Sequence, residues 1–265
     1  MPKNEQSSPE RNSEKRGSRF ISKVLPGAVR LWVRSQVSNV ERLEVQLDGR
    51  DREIVSGRLP KVAVEAEKAV YQDIHLGSVT LSAEDIRINV GQVIRGKTLR
   101  LSKGFPVLGE IALSSKELEA SMASPLLIEG VTSFWKGISR LPQLAEEIRN
   151  QYGSLPLASD VVLRDLSVAL SDDCLGLSFY PQTQEEAAKV PIVLCAKLAV
   201  TSGRLLQVSS AKWLSQLSDL NDPERGVSIR SLDGFEWDLG EDTQISQLDI
   251  TCDRLLCAGQ VQVRP

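Results

Sequence analysis

The chain is poor in histidine, cysteine and aromatic residues, and it has no long apolar run. His75 is the single histidine in 265 residues. A histidine-based metal centre or relay therefore has almost no material. Four cysteines in so long a chain do not form a disulfide framework, and none stands in a Cys-x-x-Cys pair. That argues against structural zinc and for small hydrophobic cysteines in a reducing compartment. No uninterrupted apolar stretch approaches the roughly 18 residues of a membrane-spanning helix. The opening, Met1 to Ser18, is polar and holds no apolar segment before a small-residue cleavage site, so no signal peptide is expected. These absences exclude an integral helical membrane protein, a disulfide scaffold and a multi-histidine metalloenzyme. The expectation is a cytoplasmic protein, peripheral on a membrane at most.

What is present describes a soluble chain with a core: 41% hydrophobic and 25% charged residues, with a net charge of −3. The charge is unevenly spread. Up to Arg34 there are eight basic residues, among them Lys15, Arg16, Arg19, Lys23, Arg30 and Arg34, against Glu5, Glu10 and Glu14. That segment carries +5, which leaves −8 for the rest of the chain. A basic end on an acidic body seeks an anionic surface. No aromatic platform accompanies it, so no nucleic acid partner is expected.

Residues 1–18 lack the apolar content needed to offset ordering entropy and read as a disordered tail, followed by one domain over 19–265. A helix is predicted from about Pro26 to Val37, carrying Leu31, Trp32 and Val33. The apolar period then becomes two, with Leu43-Val45-Leu47, Val62-Val64-Ala66, Val79-Leu81 and Ile86-Ile88-Val90 as half-buried strands. Helices are expected from Ser114 or Ser115, from Ser124-Pro125 and from Pro142 to Gly153. Strands resume at Val161–Leu163, Leu166–Leu170, Leu175–Phe179 and Ile192–Val200. After a short helix near Ser210–Leu217, they continue at Val227–Ile229, Ile245–Ile250 and Val261–Val263. Helix, strands, helices, strands is the order of an α+β protein with an extended, strongly curved antiparallel sheet.

Gly91-Gln92-Val93-Ile94-Arg95-Gly96-Lys97-Thr98 matches the phosphate-loop pattern, in which backbone amides cradle phosphates and the lysine reaches the terminal one. Such a loop must open a helix. Here Leu99-Arg100-Leu101 alternates and Gly104-Phe105-Pro106 follows, so Gly91 and Gly96 read as hairpin glycines. A nucleotide-binding enzyme using Lys97 and Thr98 stands as the alternative, and a membrane-associated scaffold without a small ligand as a third reading. The apolar residues say more. Leu126, Leu127, Ile128, Val131, Phe134 and Trp135 spread over most of a helical circumference. Such a helix is either enclosed by the sheet or lines a channel for acyl chains. On the second account Leu31, Trp32, Leu126, Leu127, Val131, Phe134 and Trp135 are the candidate lipid contacts. Lys15, Arg16, Arg19, Lys23, Arg30 and Arg34 would then meet headgroups. No catalytic group, metal or cofactor is expected.

The stretch Ile21-Ser22-Lys23-Val24-Leu25-Pro26-Gly27-Ala28-Val29-Arg30-Leu31-Trp32 resembles the LmeA-like phospholipid-binding family. So do Leu59-Pro60-Lys61-Val62, the segment Ile86 to Leu101, and Gly109-Glu110-Ile111-Ala112-Leu113-Ser114-Ser115-Lys116-Glu117-Leu118. The resemblance implies a non-enzymatic, tubular lipid-binding type of module, with a long helix or helices wrapped by the sheet and phospholipid between them. It carries over no individual lipid ligands.

Overall fold

The computed structural model describes Leu25 and residues 27–265, apart from Ile94, Gly96, residues 154–159, Glu185 and Pro223. The 1–18 tail and the basic residues Lys15, Arg16, Arg19 and Lys23 lie outside the described residues.

A helix over 27–35, α1, leads into β1 (Arg42–Asp48), a single turn α2 (Asp51–Val55), β2 (Arg58–Tyr71) and β3 (Ile74–Arg87). The turn between β2 and β3 is two residues long, and both Gln72 and Asp73 have positive φ. That is the backbone demanded by the tight hairpin whose twist matches its strands. The helical turn α3 (Val90–Val93), β4 (Phe105–Ser114) and three helices follow: α4 (Ser115–Ser121), α5 (Pro125–Ile138) and α6 (Pro142–Tyr152). Next come β5 (Val162–Ser171), β6 (Cys174–Gln182), β7 (Ile192–Thr201) and β8 (Leu205–Trp213). The short β9 (Val227–Ser228) and β10 (Glu236–Asp238) precede β11 (Thr243–Ile250) and β12 (Arg254–Val263).

Every ladder is antiparallel. The strands form two sheets, β1-β2-β3-β4-β12-β11 and β10-β8-β7-β6-β5, with β9 beside β8. Strand accounts for 48% of the chain and helix for 25%, so sheet dominates and the helices are accessories. This overturns the expected architecture of a long helix wrapped by a curved sheet. The longest helix with assigned bounds, α5, has 14 residues. It buries Thr132, Trp135 and Ile138 while Leu126 is 42% exposed. Apolar residues all round it come from packing one face on a sheet and leaving others half-covered, not from enclosure. The helix expected near Ser210–Leu217 is also absent: β8 runs through to Trp213, and only a 3-10 turn, Leu217–Asn221, follows.

Two cores result. Trp135, Ile138, Leu144 and Ile148 of α5 and α6 pack with Leu163, Phe179, Ile192 and Trp213 of the second sheet. Leu25 and Val29 pack with Leu59, Val62, Ala83, Ile86 and Phe105 of the first. A third cluster joins the sheets through Leu113, Leu118, Met122, Leu170 and Ile250. Hydroxyls fix the α4–α5 junction to the β2–β3 hairpin: Ser121 Oγ accepts from His75 N at 2.8 Å and Ser124 Oγ donates to Gln72 O at 2.8 Å.

Candidate functional site: an apolar cavity under the first helix

Antiparallel register builds the floor of the site row by row. Leu43, Ala66, Val79 and Ile111 stand opposite one another across four strands, and Val62, Ala83 and Val107 form a parallel row. Alternation puts these side chains on one face. α1 lies over this face and contributes Val29, Trp32 and Val33, and the turn that follows it adds Gln36 and Val37. The space left between helix and sheet is a cavity of about 410 Å³, within the range of small-molecule sites, about 300–1,000 Å³. Among the described residues, no charged one lines it.

The loop between β3 and β4 borders one end through Ile88, Leu99 and Leu101, with Ile88 bridged to Leu101. At the other end stand Gln36, Val40, Tyr71 and Leu76. Gln36 is exposed there and Tyr71 is 39% exposed. Ion pairs flank this end, with Lys68 Nζ 2.7 Å from Glu41. That hydrogen bond and charge hold the lysine above its ordinary pKa.

A family model for LmeA-like phospholipid-binding proteins matches residues 16–260. The chain belongs to the LmeA-like phospholipid-binding family. No curated protein and no solved structure matches it. In this LmeA-like protein the described lining of the cavity carries no charge and is mostly apolar, with Gln36, Ser82 and Tyr71 among it. Among the described residues no group of three or more His, Cys, Asp or Glu converges on one point, and no helix is long and apolar enough to cross a membrane.

The residues singled out by sequence separate in space. Trp32 is half-buried in the roof of the large cavity. Leu31, on the outer side of α1, is 71% exposed, and Arg30 and Arg34 are exposed with it. Arg34 donates to Val37 O at 3.0 Å. Val131 and Phe134 line a second, smaller cavity of about 100 Å³ between α5 and the second sheet. Leu127 packs in the cluster that joins the sheets. Trp135, 1% exposed, meets Phe179 edge-on at 5.0 Å in the core. What the sequence reading missed is the sheet floor. The signal was present as the alternating runs Val62-Val64-Ala66 and Val79-Leu81, which read only as half-buried strands because alternation does not say what covers a face.

The phosphate-loop pattern meets the wrong surroundings. It follows the antiparallel β3, residues 97–100 are irregular, and no helix begins between Thr98 and Ser114. Gly91 sits in the helical turn α3 rather than in a hairpin turn; Gly96 lies outside the described residues. The cysteines are free. Cys195 is buried and Cys257 half-buried, whereas Cys252 is exposed at the β11–β12 turn and does not pack as a hydrophobe.

Proposed function

We propose that this protein binds phospholipid, or a similar amphipathic lipid, without catalysing its turnover. The acyl portion would occupy the cavity between α1 and the first sheet, and the headgroup would stay outside it. The observation that carries this reading is the uncharged wall of that cavity, together with membership of a phospholipid-binding family. Burying about ten methylenes at roughly 0.8 kcal/mol each yields on the order of 8 kcal/mol before association and ordering costs, so about micromolar is the ceiling on the affinity such a chain supplies. No catalytic group is needed for that. Peripheral contact with an anionic membrane through Lys15, Arg16, Arg19, Lys23, Arg30 and Arg34, and delivery of the bound lipid to a second membrane, complete the reading. The exposed Arg30-Leu31 pair on the outside of α1 is consistent with it.

Native mass spectrometry with organic extraction tests the binding. Wild type is expected to carry adducts that resolve into phospholipids. Ala66→Trp, which fills the floor, is expected to lose most of them while remaining folded. A clean apo mass that persists after incubation with liposomes would refute the reading. Magnesium-dependent nucleotide binding abolished by Lys97→Ala would replace it with the alternative enzyme.

A further inference from the structure

The loop at one end of the cavity has a second character. From Ile86 to Gly109 the sequence holds five basic residues, Arg87, Arg95, Lys97, Arg100 and Lys103, and no Asp or Glu. All five are exposed. Their neighbours in the same stretch, Ile88, Leu99 and Leu101, form cavity wall, and Leu99 is 7% exposed between the exposed Thr98 and Arg100. One side of the loop is thus apolar lining, the other is cationic. Asn89 holds the two sides in register: its Nδ2 donates to Thr98 O at 3.1 Å, and its Oδ1 accepts from Arg100 N at 2.7 Å. The acid at the end of β3, Asp85, is engaged by Arg58 at 2.6 Å.

We infer that this loop is the surface by which the protein docks on an anionic phospholipid bilayer, turning that end of the cavity toward the membrane. The orientation rests on the lipid reading of the cavity; the charge argument stands apart from it. The five cations outnumber the flanking acids Glu84 and Asp85, the second of which Arg58 engages and Arg87 and Lys103 also stabilise. The loop is therefore net cationic, and an anionic leaflet attracts it where a zwitterionic one does not. Each basic residue within a Debye length of such a leaflet strengthens binding roughly fivefold, so three account for about a hundredfold. The patch lies on described residues of the folded body. It is therefore a different contact from the N-terminal segment, and it gives the Gly91–Thr98 region a role that needs no nucleotide.

The test is co-sedimentation of the full chain with vesicles of phosphatidylglycerol and phosphatidylcholine, against phosphatidylcholine alone. Wild type is expected on the anionic vesicles only, and to be released by high salt. Arg95→Gln/Lys97→Gln/Arg100→Gln is expected to weaken that binding about a hundredfold with an unchanged melting temperature and unchanged lipid adducts by native mass spectrometry. Arg30→Gln/Arg34→Gln, run in parallel, removes two cations of the separate α1 contact and is expected to weaken binding by about twenty-five-fold on its own. Equal sedimentation of wild type and the triple variant would overturn the inference. So would binding to neither vesicle, or loss confined to the α1 variant. A protein without lipid adducts whose vesicle binding still depends on the three residues would sustain the docking surface and refute the cavity reading, so the two fail separately.

Discussion

Asp219 lies in the 3-10 turn Leu217–Asn221, which presses Leu217 and Leu220 onto Gly176 on the outer face of the second sheet. Its side chain is 6% exposed and takes Arg225 Nη1 at 2.6 Å and Gln216 Nε2 at 3.4 Å. Burial alone would raise the carboxyl pKa. The hydrogen bonds from Arg225 and Gln216 and the guanidinium charge outweigh it, and the pKa falls below its ordinary value. A carboxyl whose folded pKa is depressed adds stability above its unfolded pKa, about 3.9. That stability disappears as the pH drops through the folded value. Arg225→Gln is therefore expected to lower the urea midpoint at neutral pH, and the gap from wild type is expected to narrow below about pH 4. A gap that stays constant into strong acid would assign the loss to packing of the arginine stem instead. The measurement is a pair of urea titrations across pH.

At the scale of elements, two glycines in different settings are expected to respond with opposite signs. Gly259 on β12 faces the irregular step in β11 between Ile245 and Gln247. A Cβ there would run into Gln244 O and come within 2.8 Å of Ile245 Cα, both backbone. The same step lets Ile245 N donate to Gly203 O at 2.5 Å in the β7–β8 turn. Gly259→Ala must push β11 away, at a cost of about 2 kcal/mol or more. Gly130 sits inside α5, where a Cβ meets nothing within 4 Å, so Gly130→Ala should stabilise by about 0.5–1 kcal/mol through helix propensity and unfolded-state entropy. Thermal melts of the two variants check both signs. Helix starts were legible because their chemistry is local. Ser114 Oγ accepts from Glu117 N at 3.3 Å while Glu117 Oε2 accepts from Ser114 N at 2.8 Å, and Pro125 and Pro142 each stand in a first turn. Alternation likewise marked most strands. Ser210 was misread because its positive φ interrupts the two-residue period within β8. The cavity was illegible for a related reason: which face a helix covers is decided by packing between distant segments, so Val79 and Leu81 carried no mark distinguishing site from core.

Across the whole molecule, the last two strands decide how the parts depend on one another. β11 and β12 follow the second sheet in sequence yet extend the first, with β12 beside β4 over ten residue pairs from Arg254↔Ser114 to Val263↔Phe105. The ends of the second sheet's hairpins meet them there: Asp173 N donates to Ile250 O at 3.0 Å, and Cys252 N to Asp172 Oδ1 at 3.2 Å. Beneath those contacts Leu113, Leu170 and Ile250 share one apolar cluster. Opening either sheet exposes that cluster, so the molecule is expected to unfold as one unit, although the large cavity touches only the first sheet. Bound phospholipid stabilises by RT ln(1 + [L]/Kd), about 2.7 kcal/mol at a hundredfold excess over Kd. In a single cooperative unit this gain reaches residues that never meet the ligand. Native-state hydrogen exchange measures it directly. Core amides of β2 and β3 around Val62–Val79, and of β7 around Ile192–Ala196, are expected to share one opening free energy and to gain equal protection when phospholipid is added. Protection gained by β2 and β3 alone would show two independently folding sheets, and would confine the effect of lipid to the sheet that holds it.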